Sequence, residues 1–93
     1  MKKVIVRANG AGVFFGELKE KNENEVTLCN CRKLHYWDGA AAVEQLAVDG
    51  TSKPDQCRFT VFVEEITIMN VLQIIPCTDK SIESITNVKE WKR

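Results

Sequence analysis

Three of the four arginines, one histidine, a Tyr-Trp pair and four cysteines are the residues of this chain with most chemistry to offer. Arg7, Arg32 and Arg58 lie within or beside β-type runs, not in tails. Arginine's planar fork suits phosphate better than lysine's point charge does. Tyr36 and Trp37 close a long strand-like run, just before a helical pattern begins. A flat ring beside a helix N-terminus offers a stacking surface next to orphan N–H donors, a pairing that holds a base and its phosphate. The expected ligand set is therefore Arg32 or Arg58 for charge and Tyr36 or Trp37 for stacking. Arg7 is a further candidate, nearer a mobile terminus. As surface residues, the arginines are expected to contribute little to folding. Large aromatics also serve as core or subunit-contact residues, the alternative role for Tyr36 and Trp37.

Other constellations point to no reaction. His35 is the only histidine, and a strand histidine beside two aromatics is more often packed or exposed than catalytic. Glu64 and Glu65 are adjacent, so a regular strand turns them to opposite faces and forms no carboxylate dyad. Gly10-Ala11-Gly12 lacks the third glycine and following helix of a dinucleotide loop, and no phosphate-binding Walker sequence is present. Cys29, Cys31 and His35 share parity, with Cys57 and Cys77 elsewhere, yet no Cys-x-x-Cys knuckle occurs. Four reduced, structural thiols, no metal, no cofactor and no enzymatic activity are the expectation.

The elements that must position these residues follow from periodicity. Val4–Arg7, Val13–Lys19 and Val26–Trp37 read as strands, the last two joined across a polar, Asn-rich turn as a hairpin. Val26, Leu28, Leu34 and Tyr36 share one parity, interrupted by Asn30 and Arg32, which predicts a bulge near Asn30. Ala40, Val43, Leu46 and Ala47 recur at helical spacing, between Asp38 as N-cap and Gly50 as stop. Phe59, Val61 and Val63 alternate, then Ile66 and Ile68 follow on the other parity, predicting a bulge, a bend or a tight turn at Glu64-Glu65. Val71–Ile75 forms a last strand, stopped by Pro76. Thr78 caps a final helix with the apolar stripe Ile82, Ile85, Val88 and Trp91. The order β-β-β-α-β-β-α gives an α+β class: a small, strongly curved antiparallel sheet or barrel with two short helices.

At 93 residues the chain is one domain, 1–93, with a thin core. Thirteen basic side chains balance thirteen acidic ones, so no global field draws duplex nucleic acid or an anionic membrane. The charge is segregated: residues 1–37 carry seven Lys/Arg against four Asp/Glu, residues 38–79 two against seven, and residues 80–93 four against two. Bulky residues at Val13-Phe14-Phe15 and Val71–Ile75 would load both faces of their strands. Self-association is the expected remedy. No run is long enough to span a membrane and no secretion signal is legible.

Two resemblances add to this reading. The Val13–Leu28 hairpin, a glycine-led strand followed by an apolar one, resembles part of an Sm-like small barrel, but the second signature with its Arg-Gly step is absent. Ala11-Gly12-Val13-Phe14-Phe15-Gly16, Leu34-His35-Tyr36-Trp37-Asp38-Gly39-Ala40, Cys57-Arg58-Phe59-Thr60, Ile74-Ile75-Pro76-Cys77-Thr78 and Glu90-Trp91 resemble, in that order, a family of small proteins of tailed phages and prophages. That resemblance implies a protein of the bacterial host's cytoplasm. Small phage proteins of this kind include oligomeric anti-defence sponges of the Thoeris anti-defence type, which bind cyclic nucleotide or cyclic ADP-ribose signals without cleaving them. The function expected is a non-catalytic homo-oligomer that sequesters a small anionic nucleotide. The alternative is a single-stranded nucleic-acid-binding or purely structural phage accessory protein.

Overall fold

A computed structural model describes residues 1–93. The first three strands, β1 (Lys3–Ala8), β2 (Gly12–Asn22) and β3 (Glu25–Tyr36), form an antiparallel meander. Helix α1 (Val43–Asp49) and one 3-10 turn (Pro54–Gln56) precede the two-residue strand β4 (Arg58–Phe59). Strands β5 (Val63–Ile68) and β6 (Val71–Pro76) and helix α2 (Asp79–Asn87) complete the chain. The result is an α+β fold with one six-stranded antiparallel sheet, strongly curved and not closed into a barrel.

The order β4-β3-β2-β1-β6, with β5 also on β3, sends β5 and β6 to opposite edges. Only Met69 and Asn70 separate β5 from β6. Asn70 takes the left-handed conformation (φ 60°) in this two-residue connection. The long β2–β3 hairpin bends over to meet it, and Val71 N–H donates to Asn24 O at 2.9 Å. That curvature makes two cores. Val4, Val6, Phe14, Val26, Leu28, Cys31 and Ile68 fill the concave side. Ile5, Phe15, Leu34 and Phe59 line the other side and receive Leu46 and Ala47 of α1 and Ile85 of α2. β1 is therefore buried on both faces, as its Val4-Ile5-Val6 run demands.

The predicted bulge is present. Asn30 sits at φ 46°, and the β2–β3 register shifts between Phe15/Arg32 and Glu17/Cys29. Leu28 and Cys31 thus both face the concave core, while Arg32 and Leu34 turn to the helix side. No registered pair joins Asn30 to Glu64, so β5 yields opposite the same point. The parity switch at Glu64-Glu65 is present, since Val63 and Ile66 pack on the same core. A separate break follows β4 at Thr60–Phe62, where Thr60 Oγ1 accepts from Lys33 N–H at 2.9 Å.

The helix ends show what local signals can do. Thr78 caps α2, its hydroxyl accepting from Ser81 N–H at 3.1 Å. Gly50 stops α1 at φ 72°, and a Cβ there would collide with Ser84. Asp38 does not cap α1: its carboxylate accepts from Gly39 N–H at 2.7 Å, and the helix begins only after Ala42. Trp91 does not extend the stripe of α2, which ends at Asn87.

The cysteines are all free thiols. The bulge sets Cys29 and Cys31 on opposite faces, and no three His, Cys, Asp or Glu side chains converge as a metal set. Burial pushes the Cys31 and Cys77 thiols above their ordinary value of 9.0. The folded chain therefore holds these protons through a pH range in which the unfolded chain releases them. Their contribution to stability is complete below about pH 9 and is lost above it. At pH 8, iodoacetamide should label Cys31 and Cys77 far more slowly in the native protein than in urea. Equal rates in the two states would contradict this packing.

Candidate functional site

The five sequence-predicted residues do not form one cluster. Arg32 is fully buried. Its Nε donates to Thr60 O (2.9 Å), its Nη1 to Ile85 O (3.0 Å) and Val88 O (2.9 Å), and its Nη2 to Phe59 O (3.1 Å). The guanidinium carbon lies 4.5 Å from the Phe62 ring centroid and 5.6 Å from that of Phe59. Burial pushes its pKa down, opposed by the charge of Glu90. Carbonyls only accept, so the group is held as a cation, and the negative end of α2 favours it. Arg32 is thus the C-terminal cap of α2 and its clamp to β4. The expectation of an exposed, ligand-binding Arg32 is corrected: every hydrogen bond of its side chain serves the fold.

Trp37 is half-buried and packs against the helix-side core. This packing favours its alternative role as a core residue. Arg7 is exposed, but its register partners are Val13 and Gln73. Gln73 Nε2 in turn donates to Glu44 of α1 at 3.3 Å. A hydrogen bond from its own backbone N–H, then the Gln73 bond and least of all the Arg7 charge, draw the Glu44 carboxyl below its ordinary range. Arg7 therefore stands at α1, three strands from β4.

Arg58 and Tyr36 are brought together. They are register partners across β3 and β4, and both are exposed, Tyr36 at 52%. The β3–β4 register slips between Leu34 and Tyr36, so this pair sits at an irregularity of the ladder. Two residues that sequence reasoning left out of the site join them. The ring of Trp91 stacks on His35 with centroids 4.9 Å apart and planes 16° from parallel. The Arg58 guanidinium carbon sits 5.7 Å from the Trp91 ring centroid. Trp91 reaches this place because Lys89–Arg93 doubles back as a strap along β4. Its N–H donates to Phe59 O at 2.8 Å, and Glu90 bridges Phe59 in parallel sense. Glu90 Oε2 also accepts from Phe62 N–H at 3.1 Å.

The surroundings are open and mixed in charge. Lys89 and Lys92 flank a depression of about 300 Å³ that Asp55 and Glu90 also line. A larger one, about 430 Å³ between α1 and α2, has no hydrophobic residue in its lining, and Lys80 and Asp49 pair across it at 3.6 Å. Neither is an enclosed cavity. The second exposed charge cluster joins Lys19 to Glu65 at 2.8 Å, with the Cys29 thiol 3.8 Å from the same carboxylate oxygen. Pairing raises the Lys19 pKa and lowers that of Glu65.

Fold and surface together define a small α+β protein with a cation–aromatic patch at one end of a curved sheet. The model of a family described as a domain of unknown function (DUF6948) matches residues 1–85, and the chain belongs to that family. No curated protein and no solved structure matches it. The matched span contains His35, Tyr36 and Arg58 but stops short of Trp91. No helix is long and apolar enough to cross a membrane.

Proposed function

We propose that this protein is a non-catalytic binding protein that sequesters a small anionic nucleotide, and that it acts as a homo-oligomer of phage or prophage origin. The observation that carries the reading is the exposed pairing of Arg58 with Tyr36. One side chain supplies a fork for phosphate and the other a ring for a base. The resemblance to small phage proteins supplies the biological setting. Oligomerisation suits the open shape of the patch, since a ligand of nucleotide size is better enclosed between two copies than on one. Exposed Val48, Val61, Met69 and Leu72 offer apolar surface for such contacts.

The test is incubation with a bacterial extract, re-purification, heat release and mass spectrometry, with light scattering on the same sample. A released nucleotide and a dimer or larger species are expected. A 10.5 kDa monomer that releases nothing would overturn the reading. The openness of the patch and the exposed Lys89, Lys92 and Arg93 beside it favour one second reading, single-stranded nucleic acid. Recovery of oligonucleotides would decide for it.

A further inference from the structure

We propose that the C-terminal strap, Lys89–Arg93, is a latch on this surface: Trp91 occupies the stacking position of the ligand's ring, and the strap lifts away to admit it. This rests on the nucleotide-binding reading for its ligand, but the latch itself is a property of the chain. Trp91 lies flat against His35 with Arg58 beside it. A cation next to a stacked ring is also how a nucleobase is held. The strap is an internal occupant of a site with the chemistry of its ligand.

Three further observations make the strap separable. Lys89, Glu90, Lys92 and Arg93 are exposed, Trp91 is only half-buried, and none of the five belongs to either core. All four carbonyls bound by Arg32 belong to residues up to Val88, so the clamp on α2 is complete without the strap. The strap is tied down along one short seam: the Trp91 N–H to Phe59, the Glu90 carboxylate to Phe62 N–H, and the His35 stack. Segments with few buried apolar contacts open well below the free energy of global unfolding. Opening frees the Arg58 guanidinium and the His35 ring together.

The latch makes binding depend on the open fraction, because apparent affinity is intrinsic affinity scaled by the competent population. If about one chain in ten is open, removing the strap tightens binding roughly tenfold. The experiment compares the full chain with a chain ending at Val88 and with Trp91→Ala, which keeps the two hydrogen bonds of the seam should the shorter chain fold poorly. Cyclic di-AMP and a ten-residue oligothymidylate are titrated into each by calorimetry. Hydrogen exchange is followed on the full chain without ligand. The proposal expects tighter binding of whichever probe binds, by roughly tenfold in both variants. It also expects the Trp91 and Phe62 amides to exchange at least about a hundredfold faster than those of Ile5 and Phe15. Weaker binding in the variants would overturn it and make Trp91 part of the binding surface. If neither probe binds any chain, the nucleotide reading loses support and the exchange data decide the latch. Protection at Trp91 equal to that of the β1–β2 ladder would overturn it, and fast exchange would sustain it.

Discussion

Arg32→Ala should be the most damaging single substitution in this protein, with a loss of about 3–5 kcal/mol, in the range found when one partner of a buried charged network is removed. The side chain is fully buried and binds four backbone carbonyls, two of them at the end of α2. Truncation leaves those carbonyls without their donors, opens a cavity between Phe59 and Phe62, and unfastens α2 from the sheet. For a domain of this size each kcal/mol shifts the melting temperature by roughly 4–8 °C, so a fall of about 15 °C or more is expected. Arg32→Met keeps much of the volume and removes the donors, and it should lose most of the same stability. Arg32→Lys should restore little, since one ammonium cannot span carbonyls on two elements. Calorimetric melting of the three variants checks this. A melting temperature within about 2 °C of wild type for Arg32→Ala would show that the clamp is not what holds α2.

That result bears on how far the fold is legible in the chain. Signals that act over a few residues read correctly. The parity break at Asn30 marked a bulge, Thr78 a cap and Gly50 a stop, because the cause and its effect lie within one turn or one strand. Arg32 did not read correctly, because its partners at Ile85 and Val88 are 53 and 56 residues away. Its neighbours in sequence present a polar residue in a strand, and only the docking of α2 makes it a buried cap. The same long-range event misleads the periodicity of α2. Ile82, Ile85, Val88 and Trp91 continue a helical stripe on paper, yet Arg32 takes the Ile85 and Val88 carbonyls and Val88 turns extended (φ −64°, ψ 130°). The chain beyond it becomes the strap, which places Trp91 on His35. Of the candidate site, Arg58 and Tyr36 were legible as residue types beside strands. Their partnership required the β3–β4 register, and Trp91 carried no local signal of its role.

Arg58→Ala should do the reverse of Arg32→Ala, weakening ligand binding at least roughly tenfold and leaving stability nearly unchanged. A charged hydrogen bond to phosphate contributes about 1.5–3 kcal/mol, and a bidentate arginine makes two. Against folding, Arg58 offers only an exposed side chain beside the Trp91 ring. Such contacts contribute little at the surface, about 0.5–1 kcal/mol. Tyr36→Ala should weaken binding as well, through loss of stacking worth about 1–3 kcal/mol per base. Titration of cyclic di-AMP into wild type and both variants, with melting curves for each, separates affinity from stability. Undiminished affinity in both variants would move the site elsewhere on the molecule.

The most direct measurement is a nuclear magnetic resonance titration of the wild-type protein with cyclic di-AMP, read residue by residue. The account predicts shifts concentrated at His35, Tyr36, Arg58 and Trp91, with Arg32, Trp37 and Arg7 little affected. Shifts confined to the polar groove between α1 and α2, around Asp49, Lys80 and Ser84, or no shifts at all, would contradict it.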